Sequence, residues 1–296
     1  MCAYICSVLE QQYTKHIRMI TVKNLYFTYS KRDKLFENLN LSLSAGHIYG
    51  VLGKNGTGKT TLLSLLSGLL FPDEGKMDVM GRNPGKRQVD FLQELFLVSE
   101  EFDLPDVSPV KYAALYSSFY PHFEEDQYRS YLQEFEVEPQ RAMNKMSMGQ
   151  RKKAYIAFAL ACNTRLLLMD EPTNGMDIPS KAQFRKLIAS LATENRCIVI
   201  STHQVRDLEN LIDTIVVLEN HQIIFNQNVD TISEKLSFVS YNDTNAAGQF
   251  FYEDIGALGG KGITSNQSGS PSRVDIELLF NGLISAKERI TDLFTN

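Results

Sequence analysis

The sequence predicts an α/β fold with a mainly parallel sheet at its core. Three short apolar runs, HIYGVLG at 47–53, RLLLMDE at 165–171 and RCIVIST at 196–202, are long enough for strands and have few polar residues between their ends. Such strands are buried on both faces, and helical stretches follow them along the chain, as in parallel sheets covered by helices. With 296 residues and 43% hydrophobic content, the chain can fill such a core.

Ahead of this core, the sequence favours an antiparallel pair of strands. The stretch 19–30 is strand-like, KRDK at 31–34 supplies a turn, and 35–44 follows with apolar and polar residues alternating from Leu39 to Leu43. Residues 1–18 lack the basic region and the small-residue cleavage site of a secretory signal. We therefore expect this segment to be a dispensable tail or a misassigned start.

The first core strand runs into the glycine-rich stretch GKNGTGKTT, and TTLLSLLSGLL with helical spacing follows, stopping near Gly68 and Pro72. Residues 53–60 satisfy GxxxxGK[ST], a phosphate loop whose backbone N–H groups point at phosphate oxygens while the next helix adds its positive end. In this pattern the lysine neutralises the β- and γ-phosphates, and the hydroxyl of Thr60 ligates Mg²⁺. The nucleotide-binding residues predicted here are Gly53, Lys54, Asn55, Gly56, Thr57, Gly58, Lys59, Thr60 and Thr61.

A strand that ends in acidic residues supplies the second half of a phosphate site. LLLMDE places Asp170 and Glu171 at the carboxyl end of a parallel strand, where open α/β sheets bind ligands. We expect Asp170 to join the magnesium shell and Glu171 to polarise the attacking water.

Periodicity gives a weaker signal for the remaining elements. Residues 105–164 are mostly helical, 180–194 form a helix, and 213–227 form an antiparallel hairpin with Asn220 and His221 in its turn, residue types that tolerate positive φ. Beyond residue 229 the signal weakens. By composition 256–273 is a loop, and 274–294 is a strand followed by a helix.

Composition excludes several classes of protein. The net charge of −5 argues against a protein whose main ligand is nucleic acid, so no nucleic-acid partner is expected. The four cysteines show no metal-site or disulfide spacing and indicate reduced thiols in a cytosolic protein. No apolar run reaches the roughly 20 residues that a membrane span needs.

From about Met19 to Gln227 the sequence resembles the ATP-binding cassette (ABC) family. MSMGQ at 146–150 is similar to the family's signature motif LSGGQ, and it lies between the phosphate loop and the acidic strand, after a helical insert. The signature residues implied are Ser147, Met148, Gly149 and Gln150. The resemblance further implies Asp177 as the acid of the D-loop, His203 as the switch histidine that contacts the γ-phosphate, and Tyr29 as the aromatic that stacks on adenine.

Two positions depart from the family's pattern. Glu100 stands where the Q-loop usually has glutamine, which puts the Mg²⁺ and water contacts of that position in doubt. Met148 replaces a signature glycine, and the motif can still meet a γ-phosphate if residue 148 needs no positive φ.

The resemblance implies an organisation as well as a chemistry. Residues 19–228 are the ATP-binding domain, with a helical subdomain at about 100–150 and an antiparallel β subdomain, and 229–296 are an extension of unknown role. One phosphate loop and one signature imply a dimer around two ATP molecules with Mg²⁺, either a homodimer or a heterodimer with a second ABC subunit. The short insert, the loose signature and the extra C-terminal segment resemble exporter-type cassettes, and the import direction stays open. The resemblance implies a separately encoded ABC-2-like permease, and it implies that this chain lies at the cytoplasmic face of the membrane.

Two other function classes stay open. A soluble ABC ATPase that acts on ribosomes or DNA shares the chemistry, although those relatives carry two cassettes or long coiled coils. A kinase that shares only the phosphate loop is opposed by the signature-like segment and by His203.

Overall fold

The structure is a computed structural model that describes residues 18–30, 33–241, 250–256 and 259–294. In those residues the strands are β1 (Arg18–Ser30), β2 (Asp33–Ser44), β3 (Ile48–Leu52), β4 (Glu74–Val79), β5 (Leu95–Val98), β6 (Leu166–Asp170), β7 (Cys197–Thr202), β8 (Thr214–Glu219), β9 (Gln222–Asn228), β10 (Leu236–Tyr241), β11 (Tyr252–Gly256) and β12 (Gly259–Ser265). The α-helices there are α1 (Lys59–Leu66), α2 (Val89–Leu92), α3 (Pro109–Tyr116), α4 (Glu125–Glu134), α5 (Met148–Ala161), α6 (Ile178–Ser190), α7 (Val229–Lys235), α8 (Ile276–Ser285) and α9 (Lys287–Thr291).

The central sheet has the strand order β5-β6-β7-β3-β8-β9. Its first five strands are parallel, and β9 pairs antiparallel with β8. Every residue of β3, β6 and β7 is buried, as expected for strands covered on both faces. Together with the antiparallel sheet β2-β1-β4 and the helices α3 to α5, this arrangement confirms the predicted fold class.

Side chains on the two faces of the central sheet belong to separate hydrophobic cores, because neighbouring residues of a strand point to opposite faces. Leu166 and Leu168 pack with α1 and the antiparallel sheet. Leu167 and Met169 pack with the helical region and with the C-terminal elements. The carboxyl ends of the strands therefore lie between two well-filled layers.

The structure corrects the prediction of a loop at 256–273. Residues Gly259–Ser265 form the middle strand of a sheet with the order β10-β12-β11. Glycines are typical of loops, but in this strand they make room for aromatic rings. A Cβ at Gly260 would lie 2.3 Å from the hydroxyl of Tyr241, and one at Gly262 would lie 2.4 Å from the ring of Phe250. These two rings stack with centroids 5.6 Å apart.

The prediction of a strand at the start of 274–294 is also wrong. A helix begins at Ile276, and the side chain of Asp275 caps it by accepting a hydrogen bond from the backbone N–H of Leu278. The hairpin prediction is confirmed, since β8 and β9 pair antiparallel and both Asn220 and His221 have positive φ.

The cysteines that the structure describes, Cys162 and Cys197, are unpaired and buried, and burial raises the pKa of both thiols. Cys2 and Cys6, like the proposed tail up to residue 17, lie outside the described residues. Over the described part of the chain, no helix has the length and hydropathy to cross a bilayer.

Candidate nucleotide site

The phosphate loop connects the end of β3 to the start of α1 and is held in one shape by its glycines. Gly56 and Gly58 have φ of +82° and +107°, which residues with a Cβ rarely adopt. Gly53 has no room for a side chain, because a Cβ there would lie 2.5 Å from the carbonyl oxygen of Leu218. The positive φ of two glycines and the close contact at Gly53 thus fix the backbone of the loop at the N-terminus of α1.

Lys59, the first residue of α1, turns its ammonium group back over the loop. Its Nζ donates to the carbonyl oxygens of Gly53 at 2.8 Å and Lys54 at 3.1 Å, and it lies 3.7 Å from Oε1 of Glu171. Burial lowers the pKa of Lys59, and the charge of Glu171 opposes that shift. A buried cation therefore stands between the glycine loop and the acidic strand.

The carboxylate of Glu171 makes three contacts with two neighbours, Thr202 and His203, at the carboxyl end of β7. Oε2 accepts a hydrogen bond from the hydroxyl of Thr202 at 3.0 Å, and Oε1 accepts from the backbone N–H of His203 at 2.9 Å. Nδ1 of His203 lies 2.7 Å from the same Oε1. The parallel pairing of Asp170 with Ser201 sets this geometry, because it brings the residue after each strand to the same edge. The structure thus brings together Lys59, Glu171 and His203, which the sequence predicted as parts of one site.

Asp170 lies one residue earlier, at the end of β6, is 3% exposed, and accepts a hydrogen bond from the hydroxyl of Ser201. Thr60 is exposed at the first turn of α1. These two side chains offer only oxygen atoms. A carboxylate and a hydroxyl suit Mg²⁺, which binds through few protein ligands and completes its shell with phosphate oxygens and water. The donor set therefore fits the predicted ion.

An open cleft of about 470 Å³ lies over the phosphate loop. Tyr29 stands at its edge with 57% of its surface exposed, and its hydroxyl is 2.8 Å from that of Thr61. Phe27 packs edge-on against the Tyr29 ring at 4.9 Å between centroids. The cleft is lined by Tyr29, Asp33, Leu35, Asn55, Gly56, Gly58, Lys59, Thr60, Thr61, Glu100, Glu171 and His221.

Glu100 reaches this cleft at the Q-loop position and is tied to the loop after the acidic strand. Its Oε1 accepts a hydrogen bond from the side-chain amide of Asn174 at 2.8 Å, and the amide oxygen of Asn174 accepts one from Gln204 at 2.9 Å. Asn174 thus links the segments that contain Glu100 and His203.

The signature-like residues are not among those that line this cleft. Ser147 caps α5 by accepting from the N–H of Gln150 at 3.2 Å, and the Gln150 side chain accepts from the N–H of Ser147. Met148 is the first residue of α5, has no positive φ and is 62% exposed. Residue 148 therefore needs no positive φ, which was the condition for a methionine at this signature position. Asp177 caps α6 through the N–H of Ser180 at 2.9 Å, which lowers the pKa of Asp177.

Two residues of this region were not predicted from the sequence as parts of the site. His221 was expected only in a turn, but it lines the cleft, and its Nδ1 lies 3.1 Å from the carbonyl oxygen of Thr57. Lys152 donates to the loop that follows the acidic strand. Its spacing indicated burial but not its partners, because Lys152, Ile156 and Leu160 follow at intervals of four and all three are buried on one helix face.

Comparisons with known proteins agree with this geometry. A family model described as ABC transporter matches residues 36–174. The chain is 30% identical over 233 residues to the energy-coupling factor transporter ATP-binding protein of Fusobacterium nucleatum subsp. nucleatum, over 74% of this chain and 86% of that protein. It is 29% identical over 220 residues to the methionine import ATP-binding protein of Carboxydothermus hydrogenoformans, over 70% of this chain but only 65% of that protein. A solved dimeric ATP-binding cassette with ADP and Pi bound, in a post-hydrolysis state, superposes with a TM-score of 0.63 at 22% identity, over 71% of this chain and 98% of that chain.

Proposed function

Because the chain belongs to the ABC transporter family and is one of its ATP-binding cassette ATPases, we propose that it hydrolyses ATP to drive a separate membrane permease. The observation that supports ATP hydrolysis is that Lys59 and His203 both contact the carboxylate of Glu171. These three side chains lie beside the phosphate loop, where a terminal phosphate would be bound.

In the proposed mechanism each group has one task. The loop amides and Lys59 hold the phosphate oxygens, and Tyr29 stacks on the base. Glu171 orients and polarises the water that attacks the γ-phosphate, and His203 contacts that phosphate. Thr60 and Asp170 would hold Mg²⁺, which neutralises charge on the phosphates when it is bound.

The proposed dimer contains two copies of this chain. Each copy carries one phosphate loop and one signature-like segment, and Ser147 to Gln150 do not line the cleft of their own copy. A second copy related by two-fold symmetry would place its Ser147 and Gly149 over that cleft, with Asp177 near the dimer contact. The solved cassette that this chain resembles is itself dimeric.

The permease is proposed to dock on the helical region. In the aromatic-rich stretch 107–123 of this region, Tyr112 is buried, whereas Leu115, Tyr116 and Phe119 are 56%, 36% and 62% exposed. Exposed apolar side chains grouped on one short stretch are typical of a protein contact. We propose an ABC-2-like permease, transport in the export direction and a position at the cytoplasmic face of the membrane. The short helical insert and the extension after residue 229 support the exporter assignment.

The transport proposal is tested by mild-detergent purification of tagged Glu171→Gln protein from its native cells with ATP present, since this variant should hold the ATP-bound state. Co-purification of a multi-spanning membrane protein is expected. Loss of that protein in a Phe119→Glu variant would place the contact on the helical region. Ribosomes or DNA-bound proteins in its place would overturn the transport function and leave the ATPase chemistry intact.

A further inference from the structure

Lys152 is a buried cation that none of the predicted motifs assigns. It lies in the second turn of α5, two residues after the last signature-like residue, and is 3% exposed. Its Nζ donates to the carbonyl oxygen of Glu171 at 2.8 Å and to that of Asn174 at 3.2 Å. Among the described residues its hydrogen bonds go to these two main-chain oxygens, and no ion pair within 4.0 Å is formed.

Burying an ammonium group in this way is costly, and it contributes little to stability unless it is paired. Burial lowers the pKa of Lys152, while the charges of Glu100, Glu171 and Asp170 oppose the shift. An apolar side chain of similar length would fill the same space without this cost. The position of the charge therefore points to a role in the site.

The backbone of Glu171 is in a conformation that needs outside support. Its φ of +44° is in the left-handed region, which costs a residue with a side chain about 1–3 kcal/mol. The N–H of Glu171 donates to the carbonyl oxygen of Ser201 at 3.1 Å, and its own carbonyl oxygen accepts from Lys152 and from the N–H of Asn174. Lys152 is thus the side chain that holds the carbonyl group of Glu171 by a hydrogen bond.

The same helix reaches the signature-like residues within one turn. Gly149 lies so close to the loop after Glu171 that a Cβ on it would be 3.2 Å from the carbonyl oxygen of Gly175. A displacement of the N-terminus of α5 would therefore also displace Lys152 and the loop that it contacts.

We propose that Lys152 is a positioning residue for Glu171, and that it ties the helix that meets the partner copy's ATP to the catalytic loop of its own copy. This inference rests on the proposed function. It means that contact between α5 and the ATP of the partner copy adjusts the Glu171 carboxylate, which acts on the ATP of its own copy.

The test compares Lys152→Met and Lys152→Arg with a matched control, Lys153→Met, in full-length protein. Lys153 is the next residue of the helix and contacts the hydroxyl of Ser180 at 3.4 Å, away from Glu171. Lys152→Met removes two charge-assisted hydrogen bonds, so kcat should fall about tenfold or more while the KM for ATP changes less than about twofold. Lys152→Arg should recover most of kcat, and Lys153→Met should keep it. Unchanged kcat in Lys152→Met would overturn the proposal. If Lys152→Met does not fold, Lys152→Gln takes its place in the same comparison.

A second measurement separates positioning from a general loss of structure. In a Glu171→Gln background Lys152→Met should reduce the residual rate by less than about twofold, because residues that act through one group are not additive. A further tenfold loss, or weaker ATP binding, would show that Lys152 acts independently of Glu171 and would overturn the proposal. If Glu171→Gln itself hydrolyses ATP normally, the proposed function fails. If only the Lys152 variants behave as wild type, the function stands and this inference fails.

Discussion

At the scale of single residues, Lys59 is the buried cation of the phosphate loop, and its ammonium group donates to the carbonyl oxygens of the loop itself. Lys59→Ala should weaken ATP binding by about 10- to 100-fold, because bonds from a charged group to phosphate contribute about 1.5–3 kcal/mol. Titration with a fluorescent ATP analogue measures this, and a thermal melt of the variant checks that it folds. Equal affinity of the variant and the wild type would show that Lys59 does not hold the phosphates.

Gly58 and Gly56 offer a second residue-scale prediction, because both have positive φ but differ in their surroundings. A Cβ at Gly58 would lie 2.8 Å from the ring of Phe36, whereas one at Gly56 meets nothing within 4 Å. Gly56→Ala should therefore cost about 1 kcal/mol of unfolding free energy from backbone strain alone. Gly58→Ala should cost about 2–4 kcal/mol, since overpacking is added.

Urea unfolding of the two variants makes this comparison. Equal losses of unfolding free energy in Gly56→Ala and Gly58→Ala would mean that Phe36 moves aside without cost and does not constrain the loop.

Much of the candidate site could be predicted from the sequence, because its residues follow strands whose carboxyl ends share one edge. Glu171 and His203 needed only the prediction of two parallel strands to be placed together. Lys152 and His221 could not be placed in the same way. Whether a lysine in RKK or a histidine in a turn faces the site depends on packing across elements, which a local pattern does not contain.

At the scale of elements, α5 begins with a reciprocal cap between Ser147 and Gln150, so Ser147 has two separable tasks. Ser147→Ala should destabilise the protein by about 1 kcal/mol, because an N-cap oxygen is lost. Ser147→Asp keeps the cap and the stability, yet it should abolish hydrolysis if this side chain faces the γ-phosphate of the partner copy, since a carboxylate repels phosphate. Thermal unfolding and ATPase rates are measured on both variants. A Ser147→Asp protein that is stable and fully active would contradict the trans role.

The C-terminal elements show where sequence patterns fail. Composition marked Gly259 to Ser265 as a loop, since glycine weakens isolated strands. In the structure Tyr241 and Phe250 cover these glycines, and that long-range contact replaces the missing side chains. The start of helix α8 was wrongly predicted as a strand for a more local reason, because the cap at Asp275 stands directly before a run of apolar residues.

At the scale of the whole molecule, the two cores hold the central sheet from both sides, and the site lies at the edge where both layers end. The cleft over the phosphate loop is open, and the signature-like residues are not part of it. One copy therefore presents two incomplete halves of a site, and in the proposed dimer a second copy would complete both.

The most direct test of this account is sedimentation equilibrium of purified Glu171→Gln protein with and without ATP and Mg²⁺. We predict a monomer without nucleotide and a doubling of the mass with ATP, because the variant keeps the γ-phosphate that bridges the two copies. Adding Ser147→Asp to this variant should return the mass to that of the monomer. A protein that binds ATP at its phosphate loop and yet stays monomeric at saturating ATP would contradict the proposed dimer.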